Sequence, residues 1–332
     1  LGFTKKTIAI PISISFGAMF LIFVYTRSHL SLGDVEFSIL GGAFLLHSLA
    51  WVSWSLRIQH LSKGLGRDLS LIDALEALLP SLFFAGITPS SAGGEPLRIY
   101  ILKKKGLSYG EATAVILGGR FLDVITITGL AIIALFLLRS GISSLILKII
   151  HMALVFLIVG SCLLLIFISR PGIMKSMMKK IFLKMEQIMR KDYSRLISKL
   201  EDEIDAFYSS IITLMKSGKK SIAIASVGTL GNWILDLSVP WVIMLSLGIH
   251  GSLVNVMMIQ LLVYIVVLLP LTPGSSGIAE GVAFALFSPL APGHIMGMFV
   301  LAWRGVMYYF NLIAGSIVGI KVYKTIGRPD IL

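Results

Sequence analysis

Apolar residues fill long stretches of this chain, and charged residues gather between them. The first stretch, about Thr7 to Tyr25, follows Lys5 and Lys6. It reads as a retained span, being long and lacking a small-x-small cleavage site. Further spans are expected at about Phe37 to Leu61, Tyr109 to Leu138, Ser143 to Ile168, Ile222 to Leu247 and Met296 to Val322. Each holds about 20 residues or more, enough to cross about 30 Å of hydrocarbon as helix.

Two other apolar runs are interrupted. Leu71 to Ile87 breaks at Thr88-Pro-Ser-Ser-Ala-Gly-Gly-Glu-Pro96 and resumes from Gly94 to Lys105. Val254 to Leu271 breaks at Thr272-Pro-Gly-Ser-Ser-Gly277 and resumes from Gly277 to Phe287. Proline removes a backbone donor and disfavours helix at the residue before it, and the glycines loosen the chain further. The resumed pieces, about 12 residues or fewer, rise at most about 18 Å as helix, too little to cross. Each broken run therefore reads as a re-entrant helical hairpin.

Residues 172–218 change character. Lysines and arginines alternate with Met174, Met177, Ile181 and Ile188, and later Leu196, Leu200, Ile204, Phe207 and Ile211 recur at helical spacing. Two amphipathic cytoplasmic helices are expected. They either rest on anionic head groups or simply join the flanking segments, and the connector reading is the simpler one.

Charge orients the spans. Lys5, Lys6, Lys63 and Arg67 belong inside by the positive-inside rule, and the first hairpin ends in Lys103-Lys-Lys105. The flanks of the second, Gly248 to Gly251 and Ser288 to Gly293, carry no Lys or Arg. The hairpins should enter from opposite faces, each flanked by two spans. That is an inverted-topology repeat, which in many transporters places broken helices around a midplane site. The expected fold is thus an all-α polytopic membrane protein with about six transmembrane helices plus two re-entrant hairpins. Residues 1–332 make one integral membrane domain: repeat one at about 36–138, the connector at 172–218 and repeat two at 220–326. Its expected place is the cell membrane, with both termini cytoplasmic.

Composition supports the class. Mean hydropathy is +0.91 and only 14% of residues are charged, against about 25% in soluble domains. Continuous rather than alternating apolar runs exclude a β-barrel. The net charge of +12 sits in the segments between spans, without basic patches interleaved with aromatics, so nucleic acid is not an expected partner. The single Cys162 excludes a disulfide framework within one chain. The six histidines, His47 among them, show no metal-ligand spacing and read as interfacial or packing residues. No G-x-x-x-x-G-K-[ST] loop occurs, and no cofactor is expected.

The candidate chemistry lies in buried charge. Glu95, Arg120, Asp123, Asp236, Glu280 and Arg304 fall within apolar surroundings. Arg120 follows Glu95 by 25 positions and Arg304 follows Glu280 by 24, which suggests an internal duplication. An ionised group near the bilayer centre costs about 2.5–3.5 kcal/mol on insertion scales, so such groups face one another or a wet cavity. One reading is structural, each Glu pairing with its Arg to lock hairpin to span. The other is that these charges line a cavity for a polar head. Backbone physics then favours an anion, because each second half-helix points a positive N-terminus toward the midplane. Ser90, Ser91, Ser275 and Ser276 add hydroxyl donors, while Gly93, Gly94 and Gly277 allow close approach. Arg98, Arg120 and Arg304 offer guanidinium forks to phosphate oxygens. Glu95 and Glu280 would then imply proton coupling or a head that is also cationic.

At these residues the chain resembles the flippase-like transmembrane domain of lysylphosphatidylglycerol synthases. The resemblance is carried by Thr88 to Pro96, by Gly119-Arg-Phe-Leu-Asp123, by Thr272 to Gly277 with Glu280, and by Trp303-Arg304. It covers nearly the whole chain. It implies movement of a lipid with a charged head between leaflets, with membrane lipids as partners; a homodimer is left open. The sequence runs to Leu332 without the aminoacyl-transferase domain of the better-known members, so it is not expected to be an enzyme or to make aminoacyl lipids. An aminoacylated phospholipid and a polyprenyl-phosphate-linked carrier fit equally well. A membrane-embedded enzyme acting on a lipid phosphate, with Glu95 or Glu280 as base, and a transporter of a small anion are the alternatives.

Overall fold

The computed structural model describes residues 5–26, 35–88, 93–137, 148, 151–152, 155, 158–160, 170–189, 194–267, 272 and 274–326. All the regular structure among these residues is helical, with no β-strand among them. In order the helices are α1 (Lys5–Tyr25), α2 (Phe37–Gly64), α3 (Leu71–Ile87), α4 (Gly94–Lys104) and α5 (Tyr109–Leu137). They continue as α6 (Pro171–Met189), α7 (Ser194–Lys216), α8 (Lys219–Ser246), α9 (Leu253–Val267), α10 (Ile278–Phe287), α11 (Gly293–Arg304) and α12 (Phe310–Ile326). A π-helical turn, Gly305–Tyr309, joins α11 to α12. Among the described residues, four helices are long and apolar enough to cross a membrane: α2, α5, α8 and the α11–α12 path. The expected span at Ser143 to Ile168 falls almost entirely outside the described residues.

Local chemistry sets the boundaries. The hydroxyl of Ser70 accepts from the Asp73 amide while the Asp73 carboxylate accepts from the Ser70 amide, a capping box that starts α3. Ser108 and Glu111 do the same for α5. At the far end of α3 the chain turns extended at Thr88, whose hydroxyl accepts from the Gly93 amide at 3.0 Å. Folding α4 back onto α3 brings Gly94 against the Ser81 carbonyl; a Cβ there would lie 2.7 Å from that oxygen. The second break needs left-handed backbone at Gly274, Ser275 and Gly277, with φ of 57°, 53° and 86°. The two breaks meet: a Cβ on Gly274 would lie 2.3 Å from the carbonyl oxygen of Gly86, at the end of α3.

Packing pairs the elements in a matched way. α2 and α8 lie along each other. α3 leans on α2, and α9 on α8. α4 meets α5, and α10 meets α11. Contacts also cross over, for α12 covers α3 and α5 reaches α9. One apolar core gathers Ile58, Leu61, Leu78, Ile101 and Val115 from α2 to α5; the other gathers Leu237, Leu261, Val263, Phe287 and Phe299 from α8 to α11. Large apolar side chains such as Phe20, Val227 and Ile317 stand exposed on the outside, as a lipid-facing surface requires.

The connector forms two helices, as the periodicity predicts. Ile204, Phe207 and Leu214 of α7 are buried, and α7 packs on α5, where the Glu203 carboxylate accepts from the Gly110 amide at 2.7 Å. Lys175 of α6 pairs with Asp205 of α7.

Candidate functional site

The buried charges separate into three groups. The first is built where α2, α4 and α5 converge. Arg120 donates to Glu95, and its Nη1 lies 3.7 Å from Asp123. Asp123 also accepts from Arg57, one turn before the end of α2's apolar stretch, and from the Trp233 indole at 3.0 Å. Arg98, on the second turn of α4, is buried and donates to the Ser81 hydroxyl at 2.9 and 2.7 Å. The guanidinium carbons of Arg98, Arg57 and Arg120 all lie over one ring, Trp54, at 4.9, 5.2 and 5.9 Å from its centroid. Three cations therefore surround one indole ring and share two carboxylates, leaving one positive charge uncompensated.

Two buried donors of this group, Arg57 Nε and Trp54 Nε1, have no acceptor among the described residues. Buried donors are almost always satisfied, so two in one cationic cluster leave a place for an acceptor that the described residues do not supply. The group is also reachable. The Arg120 and Glu95 side chains are 40% and 35% exposed, and Glu95 stands in the first turn of α4, where the half-helix presents its N-terminus.

The second group has the same residue types in a different state. Arg304 grips Glu280 with two parallel bonds of 2.9 Å, from Nε to Oε1 and from Nη2 to Oε2. Glu280 also accepts from the Gly277 amide at 2.7 Å and from the Ser15 hydroxyl. The pair is neutral and almost sealed, with side-chain exposures of 6% and 0%. Arg304 Nη2 reaches the Ser275 carbonyl at 3.3 Å, and its guanidinium lies 4.7 Å over Tyr308. Ser276 is buried. Beside this pair is a cavity of about 180 Å³, lined among others by Tyr264, Ser275, Arg304, Tyr308 and Asn311.

Asp236 joins neither arginine group. Its carboxylate lies 2.6 Å from His47 Nδ1 and accepts from the Tyr264 hydroxyl. His47 is buried, packs on Trp51 and Phe310, and is bonded on both ring nitrogens, the second to Asn311 at 3.2 Å. Ser90 and Ser91 lie outside the described residues. Gly93 and Gly94 shape the N-terminus of α4, and Gly277 that of α10.

Sequence reasoning passed over Arg57, Trp54 and His47. The signal was present, since His47, Trp51, Trp54 and Arg57 recur at spacings of four, three and three, one stripe of α2.

Long apolar helices, interrupted helices and charges gathered inside define a multi-pass helical membrane protein. The chain belongs to the family described as the lysylphosphatidylglycerol synthase TM region, whose model matches residues 8–315. A UPF0104 membrane protein of Archaeoglobus fulgidus is 33% identical over 318 residues, covering 93% of this chain and 94% of that one. UPF0104 membrane proteins of Methanocaldococcus jannaschii and Pyrococcus horikoshii are 25% and 24% identical, covering 98% and 88% of this chain and 97% and 88% of their own. No solved structure matches the chain.

Proposed function

We propose that this protein moves a lipid with an anionic, phosphate-containing head between the leaflets of the cell membrane. The head docks on the group around Trp54, and the lipid tails stay in the bilayer. The observation that carries this is the surplus of one positive charge among Arg57, Arg98, Arg120, Glu95 and Asp123, next to two buried donors without acceptors among the described residues. One surplus charge matches a phosphodiester, which carries a single negative charge, better than a pyrophosphate. Planar guanidinium forks suit its oxygens, and the N-terminus of α4 adds a positive dipole end. Half-exposed Glu95 is available to an amine on the same head. An aminoacylated phospholipid and a phosphodiester-linked polyprenyl carrier both meet that description.

The matched packing of the two halves supports an inverted-topology repeat of six spans and two re-entrant hairpins, with both termini cytoplasmic. With Cys162 replaced, cysteines at Lys103 and Gly251, both exposed, should label from opposite faces of the membrane. Labelling from one face removes the inverted arrangement.

Function is tested in proteoliposomes by the rate at which a fluorescent phosphodiester lipid exchanges between leaflets. Arg57→Gln and Arg120→Ala should each slow exchange by about tenfold or more, the worth of a hydrogen bond to a charged group. Wild-type rates in both variants would defeat the proposal.

A further inference from the structure

The third group has a property the other two lack: its geometry fixes how many protons it holds. Asn311 is oriented by its neighbours. Its Nδ2 donates to the Met307 carbonyl at 2.7 Å, so its Oδ1 faces the Trp51 indole nitrogen at 3.0 Å and His47 Nε2 at 3.2 Å. An indole N–H can only donate, so the amide cannot turn over without setting donor against donor at Trp51. His47 Nε2 must therefore carry hydrogen. On the opposite side of the ring, Nδ1 lies 2.6 Å from Asp236 Oδ1. At that distance a hydrogen must lie between them, since a bare imidazole nitrogen and a carboxylate oxygen would present lone pair to lone pair. The remaining oxygen, Oδ2, accepts from Tyr264.

We propose that His47 and Asp236 form a binding site for one exchangeable proton, and that this proton clamps α2 to α8. With it, the pair is neutral and all four residues are satisfied. Without it, the pair carries one negative charge in a buried place, the His47–Asp236 contact loses its hydrogen, and α2 and α8 are free to part there. The proton has a route, because Tyr264 and Asn311, the outer partners of the pair, both line the cavity of about 180 Å³ beside Arg304. The ionisable groups facing the pair from the packed elements are few. Tyr264 comes from α9, and Arg304 and Tyr308 stand across the cavity on α11 and the π-helical turn. From α5, Asp123 connects through Trp233, whose ring stands edge-on to Tyr264 at 5.5 Å. From α3 the cavity receives only Leu82, Ala85 and Gly86.

The site also touches the anion group through two indoles. Trp51 is bonded to Asn311, and Trp54 carries the three guanidiniums one turn further along α2. Trp233, bonded to Asp123, stands one turn before Asp236 on α8. If the function proposed above holds, the proton makes lipid movement depend on pH, and only that consequence rests on it.

The experiment reads the proton directly. The His47 ring lies 5.1 Å from Trp51, and a protonated imidazole quenches a neighbouring indole, so intrinsic fluorescence of the detergent-solubilised protein should change in a single step as pH is varied. Asp236→Asn removes the carboxylate that favours the second ring proton but leaves the His47 imidazole able to take it up, so this step should move to lower pH. Tyr264→Phe removes a donor that favours the charged carboxylate, so the step should move up by about 1 pH unit. That variant serves even if Asp236→Asn does not fold. Absence of the step in the wild type, an unmoved midpoint in Asp236→Asn, or an unmoved midpoint in Tyr264→Phe would overturn the proposal. A step that behaves as expected in a protein that exchanges no lipid at any pH upholds the proton site and removes the proposed function.

Discussion

Arg120 and Arg304 hold the same kind of partner in different surroundings, and their substitutions should fail differently. Arg304 is bound to a carboxylate with no exposed surface, so Arg304→Ala leaves Glu280 buried without its counter-charge, held only by the Gly277 amide and the Ser15 hydroxyl. A loss of about 3–5 kcal/mol is expected, seen as a sharp fall in the thermal midpoint in detergent. Arg120 is 40% exposed, and water can replace it beside Glu95. Arg120→Ala should leave the midpoint within a few degrees while removing lipid binding, read by native mass spectrometry with retained lipids. Matched sequence offsets made both pairs legible as pairs. They could not tell the sealed pair from the open one, because that difference comes from Ser15 and Gly277 closing over Glu280. Arg57 escaped notice because it lies near Lys63 and Arg67 and reads as part of a basic flank. His47 and the tryptophans looked like ordinary packing on an apolar stripe.

At the level of the helical element, the first hairpin is held at its open end by charge and along its length by close backbone contact. Lys105 Nζ lies 2.6 Å from both Asp73 and Glu76, and Lys321 of α12 reaches Glu76 at 3.1 Å. The Lys105 hydrogen bond holds the Glu76 carboxyl below its ordinary value. Burial alone would raise Asp73, but hydrogen bonds from Lys105 and Ser70 outweigh it and bring it down. Both carboxyls are lowered in the folded state, so their contribution is complete above the ordinary carboxyl value of about 4. It fades as pH falls through the depressed values. The thermal midpoint should drop in acid, and Lys105→Met should blunt that drop. Because these groups are partly exposed, the effect should be modest and weaken with salt. Gly94→Ala should act at any pH, since its methyl would press on the Ser81 carbonyl; a cost of about 1–3 kcal/mol is expected from chemical unfolding. The hairpins themselves were legible as Thr-Pro-small breaks in runs too short to cross. Their contact with each other was not, because it depends on Gly274 meeting Gly86, positions nearly two hundred residues apart.

For the molecule as a whole, each half buries its broken helix partly against the other half, α3 beneath α12 and α9 beside α5. Such crossed packing has a consequence for the order in which the protein is made. A ribosome delivers the first hairpin long before the helix that covers it exists. Until α12 (Phe310–Ile326) emerges, α3 and α4 must wait in a provisional setting, sheltered by lipid, by the insertion machinery or at the membrane surface. Nascent chains stalled before Gly293 should leave Phe83, Phe84 and Tyr100 open to labels that the finished protein refuses, and release of the stalled chain should close that window in a single late step.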